Sequence, residues 1–176
     1  MSVILKRGKA SVTISPEEVE KIKACSKFIE NNLEFADQDG EDKEFPIDTE
    51  DFDEDNLKDA IDYLRNLNYE PIVYRRIMSN DLNAELYTDY EKELAKKYKT
   101  VSAIKKLHSV GKYLQIKSLV SYALVLLGVQ IKVNENQHNS LSEIREKWNI
   151  SSEYDMNVER ELKKKYEFLK SGQDGN

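Results

Sequence analysis

The fold is decided by residues 100–128, TVSAIKKLHSVGKYLQIKSLVSYALVLLG, which carry two helical patterns in direct succession. Thr100 is a favoured N-cap residue, and apolar residues recur after it every three or four positions as far as Leu114. A second pattern begins at Ile116 and is predicted to end at Gly128. Residues 119–129 are the most apolar stretch of the chain, so we expect this second helix to lie at the centre of the core.

The N-terminal residues predict a hairpin followed by a helix. Residues 3–5 and 10–14 are β-rich runs on either side of a turn that contains Gly8. Ser15 and Pro16 then have the residue types of an N-cap and a first helical position.

A short second helix is expected to follow, through residues 28–33. Residues 37–44 are interpreted as a polar loop, and 45–47, FPI, as a short extended segment, because proline has no backbone N–H for a ladder. Asp53 is predicted to cap the next helix. The apolar positions of that helix form one stripe, namely Leu57, Ala60, Ile61, Leu64 and Leu67. This order of elements predicts an α+β protein with a small sheet and helices packed against it.

Residues 68–86 are interpreted as a long connection, in which 72–74 either form a short strand or do not. Asp89 is expected to open a short lysine-rich helix. Near the C-terminus, Ser140 begins a capping-box pattern, and Asp155 is predicted to cap a last helix with a thin apolar stripe. A helix of this kind buries little alone, which favours a partner surface.

The composition excludes several classes of function. The chain has 176 residues, and 27 Lys and Arg against 33 Asp and Glu give a net charge of −6. An acidic chain lacks the basic footprint of a nucleic-acid-binding protein. It has no apolar run near the roughly 18 residues of a membrane span, and its start lacks the pattern of a signal peptide. The single cysteine excludes a disulfide framework within the chain. We therefore predict a soluble intracellular protein with neither nucleic acid nor a membrane as a partner.

The charge is unevenly distributed along the chain. Residues 37–62 carry 13 acids and two lysines, whereas residues 92–117 carry eight lysines and one acid. Two interpretations stay open, a solvated surface or a face that meets an oppositely charged partner.

No arrangement of residues predicts catalysis or a bound cofactor. The six glycines form no phosphate-binding loop. His108 and His138 have no metal-ligating partner at a suitable spacing, and Cys25 is interpreted as a buried, unreactive thiol. Residues 37–40, DQDG, resemble the start of a calcium loop but place the glycine at the fourth position instead of the sixth. The acids of 48–55 are interpreted as a solvated loop with a helix cap. We predict no enzyme activity, no metal and no cofactor.

Tyrosine is frequent, with 10 residues. A tyrosine suits positions with one dry and one wet side, which include interfaces. Those on predicted helices are interpreted as half-buried: Tyr63, Tyr113, Tyr122, Tyr154 and Tyr166.

The helical second half resembles a known family. The pattern L-x5-Y-L-x-I-K-x-L at residues 107–119 resembles the helix–turn–helix of the Skp family, the S-phase-kinase-associated adaptors of SCF ubiquitin ligases. Residues 142–150, SEIREKWNI, resemble that family's E-E-I-R-K-x-F-N-I segment, with Trp148 in place of Phe. Residues 2–5 and 45–47 are similar to the family's opening strand and V-P-L-P strand, whereas residues 69–86 do not match.

The resemblance implies a BTB/POZ fold over residues 1–131 and a helical F-box-binding extension over 140–170. Residues 171–176 are predicted from the sequence to form a disordered tail. It implies an adaptor in the cytoplasm and nucleus that binds an F-box protein on one side and a cullin on the other. By resemblance, the cullin side includes Lys112 and Tyr113, where the family has an Asn-Tyr pair. The implied F-box groove is lined by Val120, Leu124, Leu127, Ile131, Ile144, Trp148, Ile150, Leu162, Tyr166 and Phe168.

Two alternatives keep the fold and change the partners. Lys112 replaces a short neutral amide by a cation, and burying an unpaired ammonium group costs several kcal/mol. The first alternative to an adaptor that binds both partners is therefore an F-box-binding structural protein without a cullin. The second alternative is a BTB scaffold whose cullin-side face forms a homodimer.

Overall fold

The computed structural model describes residues 1–35, 41–74, 77 and 81–131, with the backbone alone at Ile131. The predicted extension at 140–170 and the tail at 171–176 lie outside the described residues, as do the helix starts at Ser140 and Asp155. Within the described residues the elements are, in chain order, β1 (Val3–Arg7), β2 (Ala10–Ile14), α1 (Pro16–Cys25), α2 (Lys27–Glu34), β3 (Lys43–Pro46), α3 (Glu54–Asn66), α4 (Leu82–Glu85), α5 (Asp89–Lys97), α6 (Val101–Tyr113) and α7 (Lys117–Ile131). This mixture of a small sheet with helices confirms the predicted α+β class.

The three strands form a mixed sheet in the order β2-β1-β3. β1 and β2 are the predicted hairpin, antiparallel with Val3 opposite Ile14, and Gly8 adopts a positive φ of 58° in the turn. β3 lies parallel to β1. It begins at Lys43, so the interpretation of residues 37–44 as loop is wrong for its last two positions. Pro46 is the last residue of β3, where its missing N–H costs nothing, and Ile47 continues the pairing by donating to the Lys6 carbonyl at 2.7 Å.

The helices begin where side chains satisfy the free backbone N–H groups of the first turn. Ser15 and Glu18 form a capping box at α1, in which the Ser15 N–H donates to the Glu18 carboxylate at 3.0 Å. Asp53 and Thr100 each accept a bond from the N–H three residues on, at the starts of α3 and α6. The predicted starts of α1, α3 and α6 are confirmed. Thr88, one residue before the predicted opening of α5, supplies its cap.

Helix α3 packs against both β2 and α6, and α6 pairs with α7, so the core extends from the sheet to these helices. All five predicted stripe positions of α3 are buried, and so are Val101, Ile104, Leu107 and Leu114 of the apolar pattern that follows Thr100. The central place of α7 is confirmed by its buried residues Leu119, Tyr122, Ala123, Val125, Leu126 and Val129.

The predicted end of α7 at Gly128 is wrong, because the helix continues to Ile131. A side chain at Gly128 would collide with the side chain of Ile77. The glycine is therefore explained by close packing against the connection before α4, and its position in the helix interior has no capping function.

The described residues of the segment between α3 and α5 form no strand. Residues 71–74 have no regular structure, so the open alternative of a strand at 72–74 is not realised. The segment starts with two residues of positive φ, Asn68 at 50° and Tyr69 at 61°. It contains the single-turn helix α4, which the sequence did not indicate. None of the helices in the described part of the chain has the length and apolar character that a membrane crossing requires.

Candidate functional site

The outer face of α7 carries three of the residues predicted to bind an F-box protein. Val120, Leu124 and Leu127 are spaced by four and three positions, so they lie on one side of the helix. Leu124 is 51% exposed, and Val120 and Leu127 are half-buried. An exposed leucine at the middle of such a row is available to a partner.

The other predicted F-box residues are not placed by the structure. Ile131 is described only by its backbone, which ends α7. The remaining six lie outside the described residues: Ile144, Trp148, Ile150, Leu162, Tyr166 and Phe168.

Lys112 and Tyr113, the predicted cullin-side pair, end helix α6. Lys112 is exposed, whereas Tyr113 is half-buried. The Tyr113 ring lies 5.2 Å from that of Phe28 and 5.7 Å, edge to face, from that of buried Phe52. The guanidinium group of Arg7 on β1 lies over the Phe52 ring, 5.1 Å from the ring centroid. The tyrosine therefore has a structural role, with part of its ring left at the surface next to the exposed Lys112.

The turn after Tyr113 is held by backbone and side-chain bonds. Gln115 adopts a φ of 53°, and the N–H of Ile116 donates to the Gly111 carbonyl at 2.8 Å, the 6→1 bond of a Schellman motif. The hydroxyl of Ser26 donates to the Leu114 carbonyl at 2.6 Å. Together these bonds fix the corner between α6 and α7, where both candidate surfaces meet.

The acidic and basic stretches partly pair with each other inside the chain. Lys97 lies 2.5 Å from the Asp59 carboxylate, and Lys106 lies 2.9 Å from that of Asp53. Burial raises the pKa of Asp53, but the hydrogen bonds from Lys106 and the Asn56 N–H outweigh it and lower that pKa. Asp59 on α3 and Asp53, the N-cap of α3, thus serve as intramolecular partners of lysines on α5 and α6.

Four lysines of the basic stretch are exposed without such a partner. Within the described residues no carboxylate pairs with Lys99, Lys105, Lys112 or Lys117. Lys105 and Lys112 are seven positions apart on α6 and share a face. An oppositely charged partner therefore remains a prediction for the basic stretch, in which these four lysines have no carboxylate partner among the described residues.

A buried tyrosine and glutamate cluster was not predicted from the sequence. Glu91 is fully buried, and its carboxylate accepts bonds from the Tyr74 hydroxyl, from the Tyr87 N–H at 3.1 Å and from the Thr88 N–H at 2.9 Å. The Tyr74 hydroxyl lies 3.1 Å from that of Tyr63.

Tyr122 completes this cluster by donating its hydroxyl to the Glu91 carbonyl at 2.7 Å. Tyr63 and Tyr122 are fully buried, so their interpretation as half-buried is wrong. Burial raises the pKa of both phenols and of Tyr74, and the negative charge of Glu91 adds to it. The phenols stay protonated, and the bond donated by Tyr74 stabilises the buried carboxylate. The Thr88-x-x-Glu91 spacing is that of a capping box, so the sequence could have predicted that the Glu91 carboxylate lies at the start of α5.

The residues considered for chemistry have structural surroundings. Cys25 is half-buried instead of buried, and its thiol donates to the Tyr69 carbonyl at 3.1 Å. Burial raises the pKa of the Cys25 thiol, which disfavours the reactive thiolate. His108 is half-buried on α6. Among the described residues no three His, Cys, Asp or Glu side chains are placed to hold a metal ion, and the calcium-like segment 37–40 lies outside them together with His138.

No protein-family model matches the chain, and no curated protein matches it. The Skp resemblance therefore stays a prediction that rests on the quoted motifs. It can be tested by single substitutions in the row on α7 and at the end of α6.

Proposed function

We propose that this protein is a Skp-type adaptor that binds an F-box protein through the outer face of α7 and a cullin through the end of α6. The observation that carries the proposal is the exposed Leu124 between half-buried Val120 and Leu127 on the most apolar helix. A helix of a partner that packs onto this row would remove it from water, the usual mode of helix-in-groove recognition.

The contribution of this row is modest by itself. Complete burial of a leucine side chain stabilises by about 1.5–3 kcal/mol, and Leu124 has about half of its surface left to bury. Stable binding therefore needs the additional apolar residues that the resemblance assigns to 144–168, with Trp148 as the expected main contact.

The mechanism of such an adaptor is positional. It contributes no reacting group, and it fixes the distance and orientation between the substrate receptor and the catalytic scaffold. The corner held by Ser26, Leu114 and Gln115 supports this role, because it sets the angle between the two helices that carry the candidate surfaces.

The experiment is a binding titration of a purified F-box domain against the full chain. Leu124→Glu is expected to weaken binding at least about tenfold, because it places a charge on the apolar row. Val73→Glu is the matched control, since Val73 is 84% exposed on a different segment and should leave the affinity unchanged. Equal affinities for wild type and Leu124→Glu would contradict the assignment of this face.

The second candidate is an F-box-binding structural protein without a cullin, favoured by the exposed Lys112, which pairs with no carboxylate among the described residues. A pull-down separates the readings: cullin and F-box proteins together support the ligase adaptor, and F-box proteins alone support the structural protein. If neither is recovered and the purified chain sediments as a stable dimer, a self-associating scaffold replaces both.

A further inference from the structure

A small cavity lies between α4 and α5, separate from the outer face of α7. Its volume is about 220 Å³, and its apolar lining comes from Leu82, Leu86 and Ala95. Leu86 and Ala95 are buried, so the floor belongs to the packed core. Helix α7 contacts the rim through Gln130, whose side-chain amide donates a hydrogen bond to the Lys99 carbonyl at 3.2 Å.

The rim of this cavity is cationic. Lys92, Lys96 and Lys99 line it, Asn83 adds an amide, and none of the described lining residues is an acid. Lys92 and Lys96 pair with Asp89 and Glu93 at 3.7 and 2.5 Å, both one turn earlier on α5. Lys92 is half-buried and its partner Asp89 is exposed, whereas both members of the Lys96 pair are exposed. Ion pairs at the surface contribute little to stability. Lys99 is exposed and pairs with no carboxylate of the described residues.

We propose that this cavity binds an acidic peptide segment of a partner protein, with one apolar side chain inserted and flanking carboxylates on the three lysines. A cavity of about 150 Å³ accommodates a benzene-sized group, so 220 Å³ accommodates one leucine, methionine or phenyl side chain. It falls below the roughly 300–1,000 Å³ of small-molecule pockets, which disfavours a larger cofactor or an acyl chain. The lysines supply the charge complementarity that selects an acidic neighbour.

Because one side chain and a few exposed ion pairs carry the contact, the affinity is weak, with a dissociation constant on the order of 10⁻⁴ M. It falls as salt is added, since the ammonium groups are solvent-exposed. The site is independent of the proposed adaptor function, because it shares no residue with Val120, Leu124, Leu127, Lys112 or Tyr113.

The test uses a capped hexapeptide with one leucine among five acidic residues, titrated into the full isotope-labelled chain while backbone amide shifts are measured. We expect saturable shifts around Leu86, Ala95 and Lys99. Replacing the peptide's leucine by alanine, or its acids by their amides, is expected to weaken binding at least about fivefold, because each removes one half of the contact.

Two charge-matched variants decide where the peptide binds. Lys99→Glu is expected to reduce the affinity at least about fivefold, whereas Lys58→Glu, an equal change at an exposed lysine of α3, leaves it unchanged. Equal losses in both variants, or an alanine peptide as good as the leucine peptide, would show general charge attraction and overturn the proposal. The same shifts produced by inorganic phosphate alone, or no shifts at millimolar peptide, overturn it as well.

Discussion

The hydroxyl of Ser26 donates a hydrogen bond to the carbonyl oxygen of Leu114, 88 residues away, at 2.6 Å. The same hydroxyl accepts the Ile29 N–H at 3.3 Å, so it also caps α2. Ser26 is fully buried, as is Leu114. One side chain thus joins the start of α2 to the corner that follows Lys112 and Tyr113.

Ser26→Ala should lower the free energy of unfolding by about 2–3 kcal/mol, since it removes a cap and leaves a buried carbonyl without its donor. Urea unfolding monitored by circular dichroism measures this loss. Ser102→Ala removes an exposed serine hydroxyl from α6 and should change the stability by less than about 0.5 kcal/mol. A similar small change in Ser26→Ala would mean that water replaces the hydroxyl.

The ion pair between Glu18 and Arg65 predicts a loss of stability in acid. The Arg65 Nε lies 2.8 Å from the Glu18 carboxylate, and Tyr69 donates its hydroxyl to the same carboxylate at 2.5 Å. Hydrogen bonding from Arg65 is the main reason that the pKa of Glu18 lies well below its usual range. Burial, followed by the Glu18 carboxylate, raises the pKa of Tyr69 to about 12.

A carboxyl whose pKa is lower in the folded chain stabilises fully above its unfolded pKa of about 4.3, and this contribution declines as the pH falls towards the folded value. Glu18→Gln should therefore cost about 1–2 kcal/mol at neutral pH, after allowance for partial exposure. The difference from wild type should shrink steadily below about pH 4. Urea unfolding at several pH values tests this, with Glu17→Gln as the neighbouring control at neutral pH. A difference that stays constant into acid would assign the loss to something other than the carboxylate charge.

The Tyr74 hydroxyl, which donates to Glu91, is expected to hold the connection after α3 against α5. Tyr74→Phe keeps the ring contacts with Tyr87 and Tyr122 and removes one donor to a buried carboxylate. A bond to a charged group contributes about 1.5–3 kcal/mol, so the free energy of unfolding should fall by about that amount. Tyr87→Phe is the control, because that tyrosine is 54% exposed and its backbone N–H, not its hydroxyl, reaches Glu91. Equal stabilities of the two variants would contradict the role of the Tyr74 hydroxyl.

The local patterns of the sequence predicted much of the fold. The hairpin, the starts of α1, α3 and α6 and the central place of α7 follow from caps, turns and apolar spacing, which act over a few residues. Gly128 was misinterpreted because its function depends on Ile77, which is distant in sequence. The same glycine pattern fits a helix end and a close packing position.

The pairing of charges and the burial of carboxylates depend on contacts between distant residues, which the spacing of residues along the sequence does not reveal. Lys97 and Lys106 belong to the basic stretch, yet their partners are Asp59 and Asp53 of this chain. Burial of Glu91 was equally hidden, because a buried carboxylate requires donors from α5 and from Tyr74 together. The row on α7 was predicted by resemblance, and helical spacing places its three described residues on one side of the helix.

Lys112 provides the test of the cullin side. It is exposed at the end of α6 and pairs with no carboxylate of the described residues, so a cullin that covers it must desolvate a free ammonium group. Lys112→Asn removes this cost and should strengthen binding of a cullin N-terminal domain about tenfold, as measured by titration calorimetry with the F-box domain present. Lys105→Asn, on the same face two turns earlier, is the control and should have a smaller effect. An unchanged affinity in Lys112→Asn would contradict this account of the position. If neither form binds the cullin while both bind the F-box domain, the structural scaffold is the better description.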